Sequence, residues 1–323
     1  MFFLIIIKLI KIIKMKKLLF ICIFFSVIDF SSQNINISQP RNHLQTAGYV
    51  FKTSFNSIPQ DFVFLGKEFS DDWRKTGYYA AGILGLISVD KITTKAWQNH
   101  IESNVQYSLP NITPNFLDGT RNSWLIYENA YLTYPIIGLY FGSLFANNEK
   151  GQFVGINSFK AIAYSTLVTQ LSLKTILGRN RPIQRPSSNT NIDPSNFTDN
   201  NWDFFNSRNG TYLYGGPWGS ALPSMHATTY FALAKVIQME YDNYWIPYGI
   251  MSVAFLANID GHMHWFSDMV VGGLVGTLIG RSIVRSSWKA RGILDKKQRK
   301  ISINYIPQFS SQFTGLRIVA NIE

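Results

Sequence analysis

HWFSDMVVGGLVGTLIGRSIV, residues 264–284, opens on a histidine and an aspartate four positions apart and runs on into an apolar stretch punctuated by glycine. Apolar residues over more than ten positions, without a two-residue alternation, predict a helix rather than a strand. Gly272, Gly273, Gly276 and Gly280 weaken a helix that stands alone in water, but they let a neighbouring helix approach closely, as membrane bundles favour. If the segment is helical from its start, the i to i+4 spacing stacks His264 and Asp268 on one face. The carboxylate then holds one ring N–H and leaves the other nitrogen free to act as nucleophile or base. A structural His and Asp pair capping the helix is the alternative reading of these two residues alone.

Working outward, similar apolar stretches occur at 77–89, 130–146, 154–177, 227–239 and 245–259, so with 269–284 the chain presents six candidate helices. Most have apolar cores of 13 to 17 residues, short of the roughly 20 that cross a bilayer comfortably. Each suits a buried core helix or a short transmembrane span, and the glycines incline the reading toward membrane embedding. After a basic linker, KISINYIPQFSSQFTGLRIV (300–319) reads as two short strand-like pieces. Residues 34–76 are mixed and polar, and read as an exposed lead-in with short helices at best.

Only 15% of residues are charged, whereas 46% are hydrophobic and 15% aromatic; an ordinary soluble domain has about 25% charged residues. The mean hydropathy of +0.01 suits a membrane-associated body with sizeable polar loops. A formal charge of +11 resembles a nucleic-acid signal until its location is read. Lys8, Lys11, Lys14, Lys16 and Lys17 precede the apolar run LLFICIFFSVI (18–28), and SSQ (31–33) follows it, the layout of an export leader. Met15 is an alternative start. Without residues 1–32 the charge is about +7, which fits anionic substrates or lipid headgroups, or equally a mildly basic surface with no role, and nucleic acid is not an expected partner. The sole cysteine, Cys22, lies inside the apolar run, so neither disulfides nor thiol chemistry is expected beyond the leader.

Three segments carry candidate chemistry. In KTILGRNRP (174–182), Lys174 and Arg181 are seven residues apart, two helical turns, so both cations fall on nearly one helix face, and Pro182 ends the helix. Such a pair can clamp an oxyanion or be a solvated basic helix end. In PSMH (223–226), proline and serine before an apolar helical pattern predict a helix start with Ser224 as N-cap. Backbone N–H groups and the helix dipole there favour a phosphate, with His226 beside it in the first turn; an ordinary N-cap with a surface histidine is the alternative. His264 and Asp268 form the third. Between the first two segments, residues 183–222 form a long loop rich in Asn, Ser, Gly and aromatics, including Trp202, Phe204, Phe205, Tyr212, Tyr214 and Trp218. Loops of that length are usually functional or disordered, and the aromatics argue for a folded lid.

Together the three segments resemble the signature of the type 2 phosphatidic acid phosphatase and haloperoxidase superfamily. That signature is Lys, six residues, Arg-Pro; then Pro-Ser-Gly-His; then Ser-Arg, five residues, His, three residues, Asp. The resemblance covers roughly 77–285 and implies an all-α fold, a bundle of about six helices with its site at helix ends. It further implies a phosphatase that needs no metal or other cofactor and works through a phosphohistidine. Carried over by position, Lys174, Arg181, Ser224 and the Met225 backbone bind phosphate, His226 protonates the leaving oxygen, His264 attacks phosphorus and Asp268 orients His264.

Two positions depart from the pattern. Met225 replaces the usual glycine, and Ala257 and Asn258 stand where Ser-Arg is expected, so one phosphate-binding guanidinium is missing. Arg179 or Arg185 is the candidate substitute; otherwise the enzyme is a weakened homologue. The expected partner is a phosphorylated lipid or other phosphoester, at a membrane facing the periplasm, or in the periplasm if the protein is a soluble non-specific acid phosphatase. A metal hydrolase using His226, His262, His264 and Asp268 leaves Lys174 and Arg181 without a purpose. A vanadate-dependent haloperoxidase and a non-enzymatic membrane scaffold are the other rivals. The resulting domain reading is 1–32 leader or anchor, 33–76 lead-in, 77–288 phosphatase-like domain with the loop 183–222, and 289–323 basic linker and strand-like tail.

Overall fold

A glycine-lined seam between two helices organises the structure. The computed structural model describes residues 41–105, 130–183, 197–206, 219–257, 264–294, 302–309 and 314–321. The chain divides into a unit Met1–Asn42 and a larger unit His43–Glu323, which carries every element described. The larger unit is predominantly helical, as the apolar segments predict. Its elements are α1 His43–Asn56, α2 Ile58–Ser70, α3 Trp73–Ser88 and α4 Asp90–His100, then α5 Ala130–Phe145 and α6 Glu149–Ser165. Helix α6 continues as a π-helix, Thr166–Leu173, and ends in one α turn, α7 Lys174–Leu177. Short strands β1 Arg181–Pro182 and β2 Phe197–Thr198 pair in parallel. Three helices follow, α8 Met225–Tyr241, α9 Trp245–Leu256 and α10 Phe266–Ala290. Strands β3 Ser302–Phe309 and β4 Thr314–Asn321 then form an antiparallel pair, where the sequence predicts two strand-like pieces.

Helices α8 and α10 run parallel and share the most extensive helix contact. A Cβ placed on Gly272, Gly276 or Gly280 would run into the carbonyl oxygens of Ser224, Thr228 and Ala232 respectively. The three glycines, one per four residues, therefore let α10 lie directly on the α8 backbone. Gly273 is different, since a Cβ there meets only the Phe231 ring at 3.6 Å. Around the seam, Leu233, Val236, Ile279 and Ile283 are fully buried, each contributing roughly 1.5–3 kcal/mol relative to exposure to water. Among the described residues only Phe266–Ala290 is long and apolar enough to cross a membrane, and 78% of its apolar window is buried inside the protein.

The polar lead-in differs from its expectation, because much of 43–70 is helical and built into the core. Asp61 and Glu68 of α2 are buried. Lys160 of α6 approaches Asp61 at 2.6 Å, and Tyr164 donates to the same carboxylate at 2.8 Å. Glu68 meets Arg281 and Arg285 of α10, each at 3.1 Å. These side chains make the segment look solvated in sequence, yet Asp61 and Glu68 are buried and each answers a partner on another helix. The first residues of the expected basic linker are helical too, and Leu294 joins the core.

Candidate active site

Helix α10 starts on side chains that satisfy its first backbone N–H groups. Trp265 N–H donates to Asp268 Oδ2 at 2.8 Å, Phe266 N–H to Thr94 Oγ1 at 2.9 Å and Ser267 N–H to Asp90 Oδ1 at 2.9 Å. His264 therefore precedes the helix, which corrects the expectation of two residues stacked along one helical face. The bend into the N-cap brings His264 Nδ1 to 3.6 Å from Asp268 Oδ2. That is within ion-pair range but longer than a hydrogen bond, and Nδ1 is a buried nitrogen with no hydrogen-bond partner. Apo sites often show such separations and tighten when substrate binds.

Asp268 is held from behind by Arg179, whose NH1 donates to Asp268 Oδ1 at 2.7 Å and to Ser267 Oγ at 2.8 Å. Its NH2 donates to Asp90 Oδ2 at 2.7 Å and to the Asn201 carbonyl at 2.6 Å. The side chains of Arg179, Asp90 and Asp268 are all 0% exposed. The rings of Phe204 and Trp265 lie 5.2 and 5.1 Å from the guanidinium carbon. The guanidinium expected as a substitute phosphate ligand is instead a buried bridge, with NH1 and NH2 given to two carboxylates, a hydroxyl and a carbonyl and only Nε without a partner. Arg185 and Asn258 lie outside the described residues, and Ala257 caps the end of α9.

Lys174 and Arg181 come to the site by a route that the sequence spacing did not indicate. The π-helix makes its last bond from Lys174 N–H to the Thr169 carbonyl, five residues back; π turns often mark functional sites. Helix α7 then stops at Gly178, in the left-handed conformation with φ +52°, where a glycine has no steric cost. Arg181 lies beyond the helix in β1, so the expected shared helix face does not exist and Pro182 is not what ends the helix. The loop segment 197–206 closes over this turn, with Phe205 N–H donating to the Leu177 carbonyl at 2.9 Å and Asn206 N–H to the Gly178 carbonyl at 2.8 Å. That part of the long loop is folded, whereas Tyr212, Tyr214 and Trp218 lie outside the described residues. Ser220 Oγ accepts from Arg181 Nε at 3.2 Å and NH2 at 3.0 Å. Lys174 itself is 3% exposed, and a desolvated cation attracts an anion more strongly than one in water does.

Ser224 caps α8 as its position predicts, in an extended conformation, with its hydroxyl accepting from Ala227 N–H at 3.5 Å. Ser224 N–H donates to the Asp268 carbonyl at 2.9 Å, which ties the heads of α8 and α10 together. Met225 is buried, so the larger residue at the glycine position is absorbed by the core. His226 in the first turn lies close to His264, Lys174 and Arg181. Burial first, then these three neighbours, lower its imidazolium to about 4. Burial also lowers His264 to about 4; the Asp268 carboxylate opposes this, and Arg181 and Lys174 reinforce it. Both imidazoles are therefore neutral at pH 7.

The structure therefore brings Lys174, Arg181, Ser224, His226, His264 and Asp268 to the common end of α8 and α10. Sequence reading missed Asp90, Ser220 and Asn201, which hold Arg179 and Arg181 in place. No motif surrounds them, and their only signal is spatial. His262 lies outside the described residues, and among the described residues no group of three His, Cys, Asp or Glu side chains is placed to hold a metal ion. An apolar cavity of ≈650 Å³ adjoins the site, lined in part by Leu84, Leu177, Phe204, Leu222 and Val271.

Residues 156–291, about two fifths of the chain, match the family model of the PAP2 superfamily, from within α6 to the end of α10. No curated protein and no solved structure matches it. A match to this family implies phosphatase activity in general and a phosphoester as the kind of substrate.

Proposed function

We propose that the protein hydrolyses a phosphoric monoester or pyrophosphate carried by a lipid, through a phosphohistidine on His264. The observation that carries this reading is the meeting of two neutral imidazoles and two cations at the heads of parallel helices, one imidazole being backed by a buried carboxylate. Lys174 and Arg181 neutralise the phosphoryl oxygens, and the head of α8 adds its dipole. Asp268 faces Nδ1 of His264, which leaves Nε2 to attack. The Nε2 lone pair forms the N–P bond as the P–O bond breaks, and His226 relays the proton brought in by the substrate monoanion to the departing oxygen, ending neutral again. Water then attacks the phosphohistidine while His226 takes its proton, releasing phosphate and restoring His264. Support for a lipid substrate comes from the apolar cavity beside the phosphate site, which suits an apolar chain.

The test is phosphate release from a panel of lipid monophosphates and lipid pyrophosphates, alongside a water-soluble aryl phosphate, with chelator present. Release from at least one lipid and acid-quenched phosphate trapped on His264 are the expected results. Phosphate trapped on another residue, or activity retained by His264→Ala, would overturn the mechanism.

A further inference from the structure

The family match begins at residue 156, yet one carboxylate of the buried cluster comes from outside it, on α4. We propose that Asp90 is a positioning residue for catalysis: by taking half of the Arg179 guanidinium, it leaves the negative charge of Asp268 available to His264. This rests on the reading of His264 as nucleophile.

Charge balance decides what His264 faces, because Arg179, Asp90 and Asp268 are fully buried. Arg179 bridges two carboxylates, with NH2 on Asp90 and NH1 on Asp268, both at 2.7 Å. Asp90 also accepts Ser267 N–H at 2.9 Å and the Ser267 hydroxyl. That hydroxyl accepts from Arg179 in turn, so every partner of Asp90 is a donor. Two carboxylates and one guanidinium leave a net charge of −1. With Asp268 alone, Arg179 would form a neutral one-to-one pair, and the charge facing His264 would be cancelled at hydrogen-bond distance. With Asp90 sharing the guanidinium, one negative charge remains, and His264 Nδ1 lies 3.6 Å from it. His264 needs that charge during reaction, because a ring protonated at Nδ1 becomes cationic as Nε2 bonds to phosphorus. Among the described residues, the cations that act on His264 are Lys174 from α7 and Arg181 from β1, with the neutral His226 of α8 beside them. Both cations favour the neutral ring, so the cluster behind Asp268 is what opposes them.

A purely structural role for Asp90, pinning α4 to the head of α10, predicts a different result. The experiment is steady-state kinetics across pH on the aryl phosphate, using the full chain, with melting temperature measured for each variant. His264→Ala is the control: if it retains activity, the nucleophile assignment fails, and this inference fails with it for that separate reason. With the control inactive, Asp90→Asn is expected to lower kcat roughly 10- to 100-fold, as second-layer partners of reactive histidines do, with KM changed by less than about threefold. Loss of negative charge disfavours the imidazolium, so the acid limb of kcat/KM moves to lower pH. The double variant Asp90→Asn/Arg179→Gln again carries −1 and is expected to return the limb toward its wild-type position and recover part of kcat. An unmoved limb in Asp90→Asn, or a double variant no better than the single, would overturn the proposal. If Asp90→Asn does not fold, Asp90→Glu replaces it. That variant keeps the charge, so its limb stays in place even where its melting temperature falls, and a displaced limb there would also defeat the idea.

Discussion

His226 is held neutral, its imidazolium lowered to about 4 by burial and by His264, Lys174 and Arg181, whereas the proposed reaction needs it to deliver a proton. A phosphoric monoester resolves this, because its second ionisation lies near roughly 6 and its monoanion carries the proton in. The kcat/KM profile for an aryl phosphate should therefore fall on the acid side as His264 protonates near about 4. It should fall on the alkaline side as the substrate loses its proton, near roughly 6. An alkaline optimum would show that the proton comes from elsewhere. The two histidines also separate by mutation. His264→Ala is expected to abolish turnover of every substrate. His226→Ala is expected to cost about 10²- to 10⁴-fold on a lipid phosphate, whose alkoxide leaves poorly, and much less on an aryl phosphate, which needs little help. Equal losses on both substrates would reverse the assignment. These residues were nameable from sequence because each stands in a short segment whose neighbours define it, such as Ser224 before a helix. Asp90 stands in no such pattern.

Elements place those residues through contacts that the sequence only partly announced. The glycines of α10 were readable as a close-approach surface, but only the structure separates Gly272, Gly276 and Gly280, which lie on the α8 backbone, from Gly273, which faces the Phe231 ring. A methyl group at position 276 would meet the Thr228 carbonyl, so Gly276→Ala should destabilise the protein by about 1–3 kcal/mol through overpacking. Gly273→Ala meets an ordinary contact and should be neutral, or stabilising by up to about 1 kcal/mol through helix propensity. Thermal unfolding of the two variants checks this, and equal shifts would contradict the seam. The end of the helix before Arg181 was misread because Gly178 was given less weight than Pro182. The glycine ends the helix four residues earlier, and the loop at 197–206 takes up the freed carbonyls.

At the scale of the whole molecule, the apolar cavity is bordered by parts distant in sequence: α3, the turn before Gly178, the loop at 202–205, Leu222 and Pro223 ahead of α8, and one flank of α10. Leu84 of α3 lines it and is 53% exposed, so Leu84→Trp narrows the cavity without touching the phosphate site. That change is expected to lower kcat/KM for a long-chain lipid phosphate by about tenfold, in the range set by misfit in apolar pockets, and to leave the aryl phosphate within about twofold. A parallel loss on both substrates would place the lipid chain elsewhere.

The sequence by itself determined the helical class, the apolar segments that become α3 and α5 to α10, the strand-like tail and the short segments that meet at one end of the bundle. Those follow from local spacing, which neighbours in the chain carry. Folding alone decides that residues 43–70 are helices built into the core, that Arg179 is a buried bridge between two carboxylates, and that Asp90 stands behind Asp268. The physical reason is common to all three. A charged side chain has the same identity in sequence whether it faces water or a partner buried against it. Asp90 and Arg179, 89 positions apart, become a pair only when folding removes the water between them.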